Sequence, residues 1–431
     1  GNYELALSKP GTYSIVYQFI GFKTQTKIIK VERFPHELNI QLVEESISLN
    51  EVVVTRNENP ANRIIRASIA ARKSHLKTIN SYAADFYSKG LIRIKNAPKK
   101  FMGQEVTFDV ELDSTRSGII YLSETISKIK YQKPDKLSEN IIASKISGDS
   151  NGFSFNTASD VDYNFYKNTV EINAEIVSPI ADYAFNYYRY KLEGVFYDNR
   201  GNLINKIQVI PRRENDRVFS GILYIVEDQW SIYGLELQVT GSQIQIPAAD
   251  LVTIKQNLSY DEKTDYWVVR SQTIGFEYKI LGFEGDGNFV ANYSNYELNT
   301  NFDETVFTNE VLAFAPEANK KDSTYWNTLR PVPLTREEFT DYIKKDSVQT
   351  LKKSKIYRDS VDTKNNTFKF GNLISGYSFE NSFEHKEFSV SSPLKGFNFN
   401  TVQGFNSNLE IDYTKRYDAF KKYLRLQSQI N

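Results

Sequence analysis

Short runs of alternating apolar and polar residues dominate this chain. Tyr3–Leu7, Thr12–Ile20, Thr26–Val31 and Glu37–Val43 each read as a strand, with turns at Lys9-Pro10-Gly11 and Gly21-Phe22, and Ser46–Thr55 continues the pattern. Four short strands cannot close two facing sheets, so a β-sandwich here is expected to have further strands upstream. After the polar stretch Arg56–Asn59 the period changes. Asn59-Pro60 is a helix start signal, and Ala61, Ile65, Ile69 and Leu76 follow at roughly helical spacing, which predicts a helix to about residue 79. Arg63, Arg66, Arg72 and Lys73 fall away from that stripe and are expected on its solvent side.

From Tyr82 to about Leu298 the period returns to two. A meander is predicted over 188–197, 203–211, 217–226, 230–240, 251–260, 266–283 and 288–298, with turn signals every ten to twelve residues. Residues 134–187 read as loops with short helices. Near residue 300 the pattern breaks again at Asn319–Thr324 and Pro331-Val-Pro333, and Thr335-Arg-Glu-Glu338 is a capping box that opens another helix. After Phe368, Leu409, Ile411, Tyr413, Leu424, Leu426 and Ile430 alternate with polar neighbours. That is the repeat of a membrane barrel, and equally of an ordinary amphipathic sheet edge. About sixty residues supply only part of a barrel, so strands are expected to continue beyond this point as well.

Composition sharpens the picture. The 28 Tyr, 28 Phe and 3 Trp stand against one Met and no Cys, a bias toward half-buried pleated surface. The lack of Cys excludes disulfides, thiolate metal sites and cysteine nucleophiles. With 53 basic and 53 acidic residues, nothing in the charge balance calls for nucleic acid. No apolar run is long enough for a transmembrane helix.

Candidate chemistry is sparse. His36, His75 and His385 are the only histidines and none sits at ligand spacing to another. Carboxylate pairs such as Glu171 with Glu175 and Asp160 with Asp162 read as solvated faces before they read as a glycosidase pair. Glu284-Gly-Asp-Gly-Asn288 has calcium-loop composition but reads first as a hairpin turn. There is no phosphate loop and no dinucleotide fingerprint, so no cofactor is expected. The densest aromatic cluster, Tyr183, Phe185, Tyr187, Tyr188 and Tyr190, is the candidate ligand-lining set, weighed against a role in the core.

The segments GNYELAL, PGTYSIVYQFIGF and LNEVVVT resemble the carboxypeptidase regulatory-like domain. Together with YLSETISK, ENIIASKISG, SPIAD, IQVIPRR, VFSGILYI and GFNFNTVQG, they resemble a Bacteroidota outer-membrane family of unknown function. Its members join that domain to a β-rich periplasmic region and a C-terminal barrel. The helix followed by a long meander is also similar to outer-membrane lipoprotein carriers, which fold as a half-open barrel around a helix.

The resulting expectation is a mainly β protein in four parts: a regulatory-like β-sandwich over 1–55, a helix plus antiparallel half-barrel over 56–300, a polar, helical linker over 301–367, and the first strands of an outer-membrane barrel over 368–431. The resemblance implies a non-enzymatic outer-membrane protein with periplasmic docking or carrier domains. Its expected partners are outer-membrane lipid, other envelope proteins, and a lipid or acyl chain in the middle domain. A scaffold subunit of a larger envelope complex and a carboxylate-based glycan hydrolase are the alternatives.

Overall fold

The computed structural model describes residues 5–43 with breaks, 59–106, 112–149, 156–308, 311–402, 404–417 and 422–430, with a few single positions between. Its contacts divide the chain into two units, 1–341 and 342–431.

In the first unit, β1 (Gly11–Tyr17) and β2 (Gln25–Val31) form an antiparallel hairpin, Gly11 opposite Val31. Residues 37–43, expected as a further strand, carry none; the Gln25 side chain of β2 donates to the Gln41 carbonyl at 2.9 Å, and no strand ladder is formed there among the described residues. Expectations for 1–4, 18–21 and 44–58 fall outside the described residues.

Helix α1 (Pro60–Thr78) begins where expected. The Asn59 side chain accepts a hydrogen bond from the Ala61 N–H at 3.0 Å, with Pro60 in the first turn. Ala61, Ile64, Ile65, Ser68 and Arg72 form its buried stripe. Arg72 thus departs from the solvent side assigned to it. Its guanidinium donates to the Tyr166 carbonyl at 2.8 Å and pairs with Asp182 at 2.6 Å, so the charge is buried with partners.

The strands that follow make one eleven-stranded sheet. In chain order they are β3 (Ser81–Lys95), β4 (Gly118–Gln132), β5 (Lys136–Ile146), β6 (Tyr188–Tyr197), β7 (Leu203–Pro211), β8 (Ser220–Val226), β9 (Ile232–Thr240), β10 (Ala249–Asp261), β11 (Tyr266–Ile280), β12 (Phe283–Leu298) and β13 (Leu312–Phe314). Their spatial order is β6-β7-β8-β9-β10-β11-β12-β3-β4-β5-β13, antiparallel throughout except for β13, which runs parallel to β5. The result is an open half-barrel around α1, and no described strands close it. The protein is mainly β, as its composition and period suggested. The stretch expected as loops over 134–187 contains β5 and a small hairpin, Thr169–Ile172 with Ala174–Val177. Glu171 and Glu175 face each other across that hairpin.

The turn expected at Glu284–Asn288 is strand instead: β12 begins at Phe283, and the chain reverses at Leu281-Gly282, both with positive φ. The glycines serve close approach rather than reversal. A Cβ on Gly285 would stand 2.0 Å from the Arg93 carbonyl oxygen.

Beyond β13, residues 323–338 pack against side chains of β3, β4 and β5. Helix α2 (Ser323–Leu329) buries Trp326 against Tyr87 and Ala143. Arg330 pairs with fully buried Glu124, Nε to Oε1 at 2.5 Å and a second nitrogen to Oε2 at 2.8 Å, while the Tyr87 hydroxyl donates to Glu124 at 2.8 Å. Thr335 and Glu338 complete the capping box at the start of α3 (Arg336–Lys353): the Glu338 carboxylate accepts from the Thr335 N–H at 2.8 Å, and the Thr335 hydroxyl from the Glu338 N–H at 3.2 Å. Glu338 also pairs with buried Lys89 at 2.9 Å.

In the second unit, α4 (Lys355–Asn365) leads to a four-stranded antiparallel sheet: β14 (Tyr377–Asn381), β15 (Lys386–Val390), β16 (Leu409–Tyr417) and β17 (Lys422–Ile430). A separate hairpin, Phe397–Asn400 with Gly404–Ser407, lies between β15 and β16. Register sets Phe379 opposite Phe388, Phe388 opposite Tyr413, and Tyr413 opposite Leu426. One face is therefore an apolar row, with Phe379, Phe388 and Leu426 exposed, while Glu380, Glu387, Thr414 and Arg425 occupy the other.

Candidate functional site

The inner face of the half-barrel is filled unevenly. Over β7–β10 the side chains Ile207, Val209, Leu223, Leu235, Leu237 and Ile254 meet Ala61, Ile64 and Ile65 of α1 in one core cluster. Beyond β10 the helix meets the sheet at its C-terminal end, where the Tyr266 hydroxyl of β11 donates to the His75 carbonyl at 2.9 Å. Val252, Ile274, Phe276 and Phe289, from β10, β11 and β12, face a cavity of about 700 Å³ that extends to Ile92 and Tyr121. Ile274, Phe276 and Phe289 are only half-buried although they stand on the inner face, because they open onto this cavity. Gly90 lies behind Phe289: a Cβ there would meet the Phe289 ring at 2.6 Å, so the glycine lets the ring lie against the sheet.

The far wall is the loop over 156–163, held across the sheet by buried polar side chains. Ser88 Oγ donates to the Asn156 carbonyl at 2.9 Å and Asn156 Nδ2 donates to Ser123 Oγ at 2.8 Å. The Ala158 N–H donates to Glu139 at 2.8 Å, and Ser127 donates to the same carboxylate at 2.6 Å. Burial raises the Glu139 carboxyl pKa against the lowering effect of those two bonds. Gln272 Nε2 donates to the Val161 carbonyl at 2.8 Å, and Gln256 Nε2 to the Tyr163 carbonyl at 2.7 Å. β3, β4, β5, β10 and β11 each contribute a tether, and Ala158 and Val161 pack against Phe86, Ile129, Ala291 and Tyr293, so the partition is fixed by a satisfied network together with apolar packing.

On the other side of this partition lies a second cavity, of about 170 Å³, bounded by the C-terminal end of α1 at His75 and Leu76. Val161 and Tyr163 line both cavities. The second one is ringed by tyrosines: Tyr82 lies 5.3 Å from Tyr131 and 5.6 Å from Tyr296, and Tyr293 stacks with Tyr296 at 6.2 Å. Burial holds the Tyr82, Tyr293 and Tyr296 hydroxyls above the usual phenol range, reinforced by the nearby Asp162 carboxylate. Burial also raises the Asp162 carboxyl, and Lys167 partly offsets this. His75 is lowered by burial; its Nε2 lies 3.2 Å from the Gln229 carbonyl.

The five aromatics singled out in the sequence stand elsewhere. Tyr188 and Tyr190 are core residues; their hydroxyls donate to the Val177 carbonyl and, at 2.7 Å, to the Pro179 carbonyl. Phe185 and Tyr187 pack partly buried against the same core, and Tyr183 is exposed. None of the five lines either cavity. Their density in sequence reflects packing at the sheet edge β6, where Tyr188 and Tyr190 enter the core and Phe185 and Tyr187 pack against it. The residues that do line the large cavity come from seven segments: β3, β4, the 156–163 loop, the Thr169–Ile172 strand, 244–252, β11 and β12. For those on the strands the sequence signal is the period of two; the loop residues carry none. Among the described residues no group of three or more His, Asp or Glu side chains is placed to hold a metal.

Sheet, helix and cavity define an open β half-barrel module with an unfilled apolar interior. The chain belongs to the family of unknown function DUF5686, whose profile matches residues 64–296; the profile of that family's C-terminal domain matches 371–431, and a CarboxypepD_reg-like domain matches 1–54. No curated protein matches the chain. Among solved structures it is similar to a DUF1329 family protein from Desulfovibrio piger, at 9% identity and a TM-score of 0.25 over 59% of this chain and 99% of that one. It is also similar to a putative outer membrane lipoprotein-sorting protein domain from Vibrio parahaemolyticus, at 12% identity and a TM-score of 0.25 over 58% and 98%. A LolA superfamily protein from Nitrosomonas europaea gives 11% identity and a TM-score of 0.22 over 58% and 98%.

Proposed function

We propose that this chain is a non-enzymatic envelope protein whose half-barrel is a carrier or docking module that takes an acyl chain of a membrane lipid or lipidated partner out of water. The observation that carries the reading is the cavity of about 700 Å³ on the inner face, walled by Val252, Ile274, Phe276 and Phe289. Ligand cavities span roughly 300–1,000 Å³ and are mostly apolar, so the size and lining suit a hydrocarbon chain. Each methylene moved from water into such a space contributes about 0.8 kcal/mol.

The second unit supports a membrane address for the same molecule. Its apolar row of Phe379, Phe388, Tyr413 and Leu426, backed by a polar face, matches the outward-apolar repeat of a barrel wall. On this reading residues 368–431 enter the outer membrane, while 1–55 and 56–300 lie in the periplasm and meet other envelope proteins.

The test is native mass spectrometry and lipid titration of the chain, set against an Ala248→Trp variant. Ala248 lines the cavity at a half-buried position, so an indole there fills space without opening the core. Bound lipid or lysolipid on the wild type, weakened about tenfold or more in the variant, is the expected result; tenfold corresponds to about 1.4 kcal/mol. Equal binding to both, or no lipid at all alongside stoichiometric protein partners, would turn the reading to the scaffold alternative.

A further inference from the structure

We infer that the tyrosine-ringed cavity at the end of α1 is a headgroup site for an ammonium-bearing amphiphile, with Asp162 as the counter-charge; this rests on the acyl-carrier reading of the adjoining apolar cavity. Four observations lead there. Asp162 is the acidic side chain lining the smaller cavity, and it is open to that space rather than packed away. It accepts no hydrogen bond from any described residue, and its interaction with Lys167 is through space, without ion-pair contact. Around it stand the rings of Tyr82, Tyr131, Tyr293 and Tyr296, at mutual distances of 5.3 to 6.2 Å. A carboxylate among aromatic faces is the chemistry that recognises a primary or quaternary ammonium, because the ring quadrupoles and the anion attract the same cation. Because the Asp162 carboxylate is open to the cavity and accepts no hydrogen bond from a described residue, it can receive such a cation directly.

The site joins the apolar cavity at a defined place. Val161 and Tyr163 line both spaces, so the two cavities share the 156–163 segment as a wall, with Phe276 and Ile274 on one side and Asp162 on the other. The cavity's cations do not compete for the same role. The Lys133 ammonium donates to the Leu76 carbonyl at the end of α1. Lys167 is exposed at the rim and suits the phosphate of a phospholipid.

The experiment is a calorimetric titration of the full chain with lysophosphatidylethanolamine and lysophosphatidylglycerol of identical acyl chain. Chain and phosphate are common to both, so the comparison isolates the amine. We expect the ethanolamine lipid to bind about tenfold more tightly, and Asp162→Asn to abolish that preference while leaving the affinity for the glycerol lipid unchanged. Tyr131→Leu, at the half-buried edge of the ring, should reduce the preference several-fold by removing one aromatic face. Equal affinities for the two lipids, or a preference that survives Asp162→Asn, would overturn the inference. If neither lipid binds, the carrier reading fails by itself, and a choline titration decides the headgroup site separately. Choline bound by the wild type but not by Asp162→Asn keeps the site, as one for a free amine; choline bound by neither removes it.

Discussion

At the scale of single residues, the informative positions are those where a side chain has no room or no water. Gly285 sits on β12 with the Arg93 carbonyl 2.0 Å from where a Cβ would be, and the Tyr278 hydroxyl donates to that carbonyl at 3.0 Å. Gly285→Ala should therefore lower stability by about 1–3 kcal/mol, read as a drop in melting temperature, because the obstacle is backbone and cannot step aside. Arg330→Met removes the only charged partner that the described contacts give Glu124. It should cost about 3–5 kcal/mol, far more than an exposed pair would, since the carboxylate stays buried. His75 gives the molecule a pH dependence whose sign follows from its lowered pKa. As pH falls below the ordinary value of 6.5 the unfolded chain takes up the proton first, so stability is present above 6.5 and lost toward the depressed folded-state value. Melting curves between pH 7.5 and 5 should show this loss in the wild type and a shallower one in His75→Gln; parallel curves would exclude His75 as its source.

At the scale of elements, local rules and tertiary demands meet at the caps. Asn59 accepts from the Ala61 N–H and also donates to the Tyr190 carbonyl at 2.8 Å, so the cap of α1 is at the same time a tie to the sheet edge. Asn59→Ala is expected to cost about 1 kcal/mol from the lost cap and more through that second bond, measurable by chemical denaturation. The helix itself was legible from Asn-Pro and the apolar stripe. The placement of Arg72 inside was not, because its charge argues it away from the apolar stripe and toward solvent; only Tyr166 and Asp182, far away in sequence, decide the matter. The 156–163 partition is a similar case. Its anchors Ser88, Ser123, Ser127, Gln256 and Gln272 look like solvent-facing polar positions until the sheet brings them under one loop.

At the scale of the whole molecule, the two units differ in what they show to solvent. The first keeps its unfilled apolar surface inside the half-barrel; the second presents Phe379, Phe388 and Leu426 on one face of a four-stranded sheet. A chain comprising residues 59–341 is expected to remain in the aqueous phase in a liposome flotation assay, whereas the full chain should float with the vesicles. Flotation of both, or of neither, would separate membrane attachment from the apolar row of the second unit.

The sequence by itself determined the mainly β character, the position of α1, the capping box at Thr335–Glu338 and most of the meander. Each depends on residues near one another in the chain, whose period and turn chemistry act locally. It did not determine the site. The aromatics crowded at 183–190 became core and edge, while the cavity went to Val252, Ile274, Phe276 and Phe289, and the carboxylate to Asp162. Which inward-facing residues are covered by α1 and which are left facing empty space depends on how far a nineteen-residue helix reaches across an eleven-stranded sheet. That reach is a property of the packed whole, and no local pattern encodes it.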